Sequence, residues 1–457
     1  MKKFLNFLSV LILLGFLVSC QSDDEILEPE SEQESTPPPD EESPEPEEEV
    51  VFPLQGDTGE ILLHDTQLSQ DGYVLVNDAG ADRVYLMDKD SGTIVHEWAL
   101  QFNLGNDVEL LPDGRLLASL AAENPVFNFG GFGGKIQIIN PDSSIAWDFD
   151  YSSEDYLAHH DVEMLPNGNV LIIVWDAKSL ELAKMEGYDG EEEFVYSETL
   201  IEVNTSTNEI VWEWNAWDHL IQNFDDTKNN YGIVAENPNR INLNFIDEIR
   251  SGIAPDGDIM HANGLDYDAD KDLIYLSINF FSEVWVIDHS TSTAEAKSSS
   301  GGNYGKGGDL LYRFGNPSAY DNEVGERLFF NNHFPNLMED GEIGEGNMLI
   351  FMNGNEEGST QSTVYELELP EIFDLKPNTD NELTIAWSFT DKNLFSPKVS
   401  GAVRLPNGNT LIASGTFGYW EVTETKELVW QFKGDGFYWR GYHYDEQDAA
   451  IVQLGLD

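Results

Sequence analysis

The chain has 457 residues, 40% of them hydrophobic and 12% aromatic, enough for one large core or for two to three ordinary ones. Against 85 Asp and Glu stand only 23 Lys and Arg, a formal net charge of −62, which excludes general affinity for nucleic acid or any other polyanion. The single cysteine excludes an internal disulfide framework.

Lys2 and Lys3 precede an apolar run from Phe4 to Val18. That is the length of a signal-peptide core and falls short of the ~20 apolar residues of a spanning helix. The run ends in Leu17-Val18-Ser19-Cys20, which resembles the site cut before a diacylated cysteine, so residues 1–19 read as a lipoprotein signal peptide and Cys20 as the lipidation point. Fourteen of residues 21–50 are Asp or Glu, six are Pro and none is aromatic. A segment so poor in apolar surface cannot offset its ordering entropy, and 20–50 is expected to be a disordered tether. Its start, Gln21 to Glu25, resembles the acidic signal that sends some Bacteroidetes lipoproteins to the cell surface, and a plain spacer is the alternative. The expectation is an outer-membrane lipoprotein whose folded part, residues 51–457, carries about −50.

Within that part a polar turn followed by a short apolar strand recurs six times, as SQDGYVLV (69–76), LPDGRLLAS (111–119), LPNGNVLII (165–173), DADKDLIYLS (268–277), GEGNMLIFM (344–352) and LPNGNTLIA (405–413). After each comes a second hairpin whose last strand ends in aromatics, for example VYLMD to HEW (84–98) or VYELE to IAWSF (364–389). Asn-Gly and Asp-Gly turns are strong hairpin signals, and two hairpins make one four-stranded blade. Six copies predict an all-β fold, a six-bladed β-propeller of four-stranded antiparallel blades. The longest interval, 177–258, reads as the outer half of a blade plus an insertion. Tryptophans 98, 147, 212, 387 and 430 end outer strands and are expected to pack between blades.

Aligned on the turn glycine or its equivalent, the position eight residues earlier is His64, Asn106, His160, Asn263, His333 or Ser400. The innermost strand of each blade runs along the central channel, so equal register means equal height, and a polar residue in every copy predicts a wet pocket at the channel mouth. Two residues earlier stand His261 and Lys398. In a chain this acidic, such a cluster focuses anions. Imidazole can serve there as nucleophile, acid or base. Three neutral imidazoles could also hold a metal, although no closely spaced His-x-His or His-Glu-x-x-His pair supports that. His219 and His289 lie at or beyond outer strands and read as structural. The glycine-rich stretches 128–135 and 298–309 read as loops.

Several blocks resemble the arylsulfate sulfotransferase family: HHDVEMLPNGNVLIIVWD (159–176), VWEWNAWDHLIQNF (211–224), MHANGLDYDADKDLIYLSINFFSEVWVIDHSTST (260–293), GGDLLYRFGNPSAY (307–320), NNHFPNL (331–337) and SGAVRLPNGNTLIASG (400–415). The resemblance implies a six-bladed propeller that moves a sulfuryl group from an aryl sulfate to a phenol, by ping-pong through a histidine, with no nucleotide donor and no cofactor. It matches His261 and His333 to family histidines; with His160 of the polar ring these are the expected reacting residues, His333 or His160 as carrier and His261 as acid or oxyanion partner. Lys398, Asn263, Asn332 and Ser400 are expected on the substrate side. The chain departs from the family at two points. No arginine follows FMNGNEEG (351–358), and Lys398 stands where relatives often carry a histidine. A surface propeller that binds a sulfated or other ligand at the mouth without turnover is the alternative, and a metal-dependent hydrolase on the same ring is a third.

Overall fold

The computed structural model describes residues 58–247, 256–338, 341–354 and 361–456. The expected signal peptide, Cys20 and the tether lie outside these residues, as do positions 355–358. Six antiparallel sheets form the blades of a propeller. Blade 2 holds Leu104–Leu110, Leu116–Ala121, Gly134–Ile139 and Ile145–Asp150 from the channel outward, and blade 3 holds Tyr156–Met164, Val170–Ser179, Phe194–Val203 and Ile210–Asn215. Ala262–Asp268, Leu273–Ile278, Glu283–Asp288 and Tyr312–Phe314 build blade 4; Asn332–Leu337, Asn347–Met352, Thr363–Glu368 and Thr384–Phe389 build blade 5. Among its described residues the interval 177–258 holds no further blade. The middle strands of blade 3 run long, a short helix Leu180–Met185 joins them, and Leu220–Ile221 pairs in parallel with Ile241–Asn242 outside the ring.

The ring closes by a stagger that the repeat count did not contain. Blade 1 takes its inner strand, Tyr438–Tyr444, from the C-terminal end of the chain, followed outward by Tyr73–Asp78, Arg83–Asp88 and Ile94–Trp98. Blade 6 (Gly401–Arg404, Thr410–Ser414, Gly418–Val422 and Leu428–Gly434) gains a fifth, outermost strand, Gly59–His64. This corrects the place expected for His64. It lies on the outer rim with Nε2 3.4 Å from Asp90, because the segment before the first turn belongs to the neighbouring blade. The corresponding channel residues of blade 1 come from the YWRGYHY segment instead.

Apolar faces meet between blades: Val74, Val76 and Tyr85 of blade 1 pack on Leu411, Ala413, Tyr419 and Trp430 of blade 6. Trp98 is buried with its indole N–H unpartnered among the described residues, and the other four outer tryptophans lock blade interfaces through theirs. Trp147 donates to Asn208 Oδ1, Trp212 to Thr291 Oγ1, Trp387 to the Glu424 carbonyl and Trp430 to the Lys89 carbonyl, each on the next blade round. Buried indoles need such partners, and here the partner also fixes blade spacing.

Candidate active site

The inner strands are bulged near their starts. Register slips fall at Leu104/Val108 in blade 2, Ile172/Val174 in blade 3, Ala262/Gly264 in blade 4, His333/Asn336 in blade 5 and Val76/Asp78 in blade 1. At three of them a non-glycine residue takes a left-handed backbone, His160, His261 and Phe334 all at φ 55°. Bulges re-aim side chains, and here they bring imidazoles from separate blades together. The rings of His160 and His261 lie 4.8 Å apart, centroid to centroid. The Trp439 indole neighbours both His160 (5.5 Å) and His333 (6.4 Å).

The three histidines differ in what holds them. His261 donates from Nδ1 to Asp258 Oδ2 at 2.5 Å and stacks on Phe280 at 4.6 Å. Its side chain is 16% exposed, and Nε2 has no hydrogen-bond partner among the described residues. His333 is committed on both nitrogens. Val399 N–H donates to its Nε2 (3.2 Å), so the ring proton sits on Nδ1 and goes to Asn353 Oδ1 (2.6 Å). The Asn353 amide is oriented by donating to the Ser396 and Val399 carbonyls. Burial pushes His333 down to about 3, so it is neutral at any ordinary pH.

His160, 2% exposed, is backed by a second imidazole. Its Nδ1 lies 2.7 Å from Nδ1 of His159, whose Nε2 lies 3.0 Å from Glu198 Oε2. Trp175 stacks flat on His159 at 3.7 Å, and Glu198 Oε1 accepts the Ala262 N–H at 2.8 Å. Burial, and then the charge of His261, pushes both His159 and His160 well below the ordinary imidazole range. On its far edge His160 meets Gly131 of the glycine-rich loop. A Cβ built there would stand 2.1 Å from Nε2 of His160, and φ of +85° makes glycine the fitting residue.

Lys398 is exposed, with Nζ 5.4 Å from the Phe437 ring and no ion pair among the described residues. Its charge is close enough to depress His333 further. The other ring residues turn their side chains to the neighbouring backbone. Asn263 donates to the Asn332 carbonyl (2.7 Å), Asn332 to Ser277 Oγ (2.7 Å) and the Glu283 carbonyl (2.9 Å), and Ser400 Oγ accepts from Gly415 N–H (3.0 Å). Asn106 donates to the Gly131 carbonyl. Asn263 and Asn332 staple blade 4 to blade 5, whereas Asn106 and Ser400 tie down loops of their own blades. His219, paired with Asp309 and the Ala296 carbonyl, and His289, between Asp272 and Glu202, hold structure as expected.

Sequence reasoning missed His159, Glu198, Asp258, Asn353, Trp439 and Arg440. Two of them carried a signal: the adjacent histidines of HHDVEML, and an aspartate three residues before His261. Arg440 occupies the channel next to the histidines. Its Nη1 stands 2.9 Å from Asp107 Oδ2 and 2.9 Å from Asp161 Oδ2, Nη2 donates to the Asn263 carbonyl, and the guanidinium lies 4.3 Å from the Phe334 ring. Arg440, Asp107, Asp161, Glu109, Glu163 and Asp266 share a cavity of about 140 Å³, so the channel changes from imidazole to carboxylate along its length.

The model of the arylsulfotransferase (ASST) family matches residues 138–451, which includes every histidine of this cluster. No curated protein matches the chain. Among solved structures it is similar to a protein of unknown function from Bacteroides caccae, at 14% identity over 81% of this chain and 98% of that one, with a TM-score of 0.47. It is also similar to the β-propeller domain of Cps50 (Swd1) from Myceliophteria thermophila, at 9% identity over 83% of this chain and 89% of that one, with a TM-score of 0.39.

Proposed function

Since this chain belongs to the arylsulfotransferase family, we propose that it carries a sulfuryl group from an aryl sulfate to a phenol through a covalent histidine intermediate, with no nucleotide donor. The observation that carries the reading is the pair His160 and His261, 4.8 Å apart and held by different partners. One is a buried neutral imidazole, the other a more exposed imidazole whose Nδ1 proton is taken by Asp258. Neighbouring groups with opposed environments divide into nucleophile and acid.

His160 Nε2 supplies the lone pair that forms the N–S bond, while the S–O bond to the aryl group breaks and its oxygen takes a proton from His261 Nε2. In the second half the acceptor phenol returns its proton to His261, its oxygen bonds sulfur, and the N–S bond breaks. His333 is an unsuitable carrier because its Nε2 lone pair already accepts the Val399 N–H. Lys398, unpaired among the described residues, offers its charge to the sulfuryl oxygens. Phe280, Phe437 and Trp439, in contact with His261, Lys398 and His160, make the surroundings of these groups aromatic, which suits an aryl donor. The propeller is anchored in the outer membrane by lipid on Cys20.

The test is release of p-nitrophenol from p-nitrophenyl sulfate, accelerated by added phenol, with radiolabel from ³⁵S-donor retained on the protein in the absence of acceptor. Neither release nor label between pH 5 and 9 would refute the reading and leave the non-catalytic binding propeller.

A further inference from the structure

We propose that Glu198 and His159 are a proton relay behind His160, which bares its Nε2 for sulfur and takes up the charge created when the N–S bond forms. The inference rests on the sulfuryl-transfer reading for its purpose, but its geometry stands alone. Glu198, His159 and His160 are joined by two contacts in series, 3.0 Å and 2.7 Å, in a buried row fixed by the Trp175 stack and the Ala262 N–H.

Such a row has two settings. In the first, the Glu198 carboxylate accepts from His159 Nε2–H, His159 Nδ1 accepts from His160 Nδ1–H, and His160 Nε2 keeps its lone pair. The second contains one more proton, and every bond is reversed: Glu198 is a carboxylic acid donating to His159, His159 Nδ1–H donates to His160, and Nε2 of His160 is occupied. Arrival of sulfur at Nε2 does what arrival of a proton would do. As the N–S bond forms and the aryl oxygen leaves, the His160 Nδ1 proton passes to His159 Nδ1 and the His159 Nε2 proton to Glu198. The sulfohistidine ring therefore stays neutral, and the positive charge is cancelled by the carboxylate. Transfer to the acceptor breaks the N–S bond and the protons return. Burial holds the Glu198 carboxyl above its ordinary range, which suits a group that must accept a proton. The charged and titratable groups that face His160 are His261 and, behind it, Asp258 before the inner strand of blade 4, His333 in blade 5, and Arg440 in blade 1. The positive charge of Arg440 disfavours an extra proton on the row, and so favours the first setting. The row titrates as one unit.

Glu198→Gln tests the relay with nearly unchanged shape. The new amide oxygen can accept the Ala262 N–H, which turns its NH₂ toward His159 and locks the second setting with no acidic proton to release. Ring ¹⁵N shifts should report His160 protonated at Nδ1 and bare at Nε2 in the wild type, and the reverse in the variant. Turnover and the ³⁵S-labelled protein should fall by about 10³- to 10⁴-fold, the scale of a wrong histidine tautomer. The loss should not recover at any pH from 6 to 9, a range over which burial keeps the wild-type row in the first setting. Glu198→Asp, which keeps the carboxylate, should restore at least about tenfold of the activity lost in Glu198→Gln. Wild-type shifts with Nε2 protonated, or a folded Glu198→Gln with turnover within about threefold of wild type, would overturn the relay. If the glutamine variant does not fold, the wild-type shifts decide alone. A wild type that shows the expected tautomer yet neither labels nor transfers would refute sulfuryl transfer while leaving the tautomer assignment intact.

Discussion

Arg440→Met removes the one guanidinium on which the inner strands of five blades converge. Arg440 belongs to blade 1, Asp107 to blade 2, Asp161 to blade 3, Asn263 to blade 4 and Phe334 to blade 5. Asp107 and Asp161 are each about 98% buried. Burial first, and then the neighbouring Asp161, pushes Asp107 well above the ordinary carboxylate range even with the arginine in place to oppose it. Methionine fills most of the same volume but leaves two like charges facing each other out of water. Breaking a buried pair in this way costs about 3–5 kcal/mol. Urea unfolding at pH 7, followed by tryptophan fluorescence, should show a loss of that size. The sign with pH is set by the carboxylates. The Asp107 pKa, already raised by burial, rises further in the variant, so the penalty grows as pH rises toward that value and shrinks as acid protonates the carboxyl. The triple variant Arg440→Met, Asp107→Asn, Asp161→Asn, with no charge left to strand, should regain most of the loss. An Arg440→Met protein within about 1 kcal/mol of wild type at pH 7 would mean the carboxylates are solvated, and would refute the hub.

Gly131→Ala should drive His160 from its place, since the new Cβ would stand 2.1 Å from Nε2 at a φ of +85°; turnover should drop about 10²-fold, the scale of an ångström of misplacement, and wild-type turnover in the folded variant would contradict the assigned position. His333→Gln should flatten the acid sensitivity of stability. The folded wild type refuses, down to about pH 3, a proton that the unfolded chain takes near 6.5. This site therefore costs nothing above pH 6.5 and about 1.4 kcal/mol per unit below it. Between pH 7 and 5 the wild type should lose about 2 kcal/mol more than the variant, and equal losses in chemical denaturation would sink the point. Lys398→Met should raise KM for an anionic donor about five- to tenfold, equivalent to about 1 kcal/mol for an exposed charge at contact, with kcat nearly unchanged and a weaker salt dependence; an unaltered KM would remove Lys398 from the site.

The blades were readable because turns such as Asp113-Gly114 and Asn167-Gly168 punctuate them, and because two hairpins per copy leave no spare strand. The closure was not. Counting back from a turn assumes that the strand before it belongs to the same blade, which holds for His160 and His333 and fails at the chain ends, where Gly59–His64 crosses to blade 6. Arg440 and Trp439 were hidden by that assumption. His159 escaped for another reason. Strict alternation places it opposite His160, toward packed interior, but the bulge after Ala158 turns the two rings edge to face at 5.0 Å and makes neighbours of residues expected to diverge. Asn263, Asn332 and Ser400 illustrate the limit of register itself. A polar residue at channel height can point to a ligand or to the backbone next door, and only the distances separate a substrate contact from a staple.

The charge pattern along the channel bears on how so acidic a chain can serve an anionic substrate. Of the cations near the cluster, Arg440 is already shared between Asp107 and Asp161 and contributes little net field at the mouth. Lys398 has no such partner among the described residues, and it sits on the exposed side with His261. The inner histidines are neutral, so attraction and chemistry are assigned to different groups. On the proposed mechanism an exposed ammonium would draw the sulfate ester in, and a desolvated imidazole, kept free of protons by its surroundings, would meet the sulfur. A fully cationic pocket would bind the donor more tightly but would protonate the nucleophile, and a fully neutral one would leave the ester to the repulsion of the surface. The acidic stretch further along, with Glu163 and Asp266 beside Asp161, then makes the mouth the favourable end of the channel for an anion.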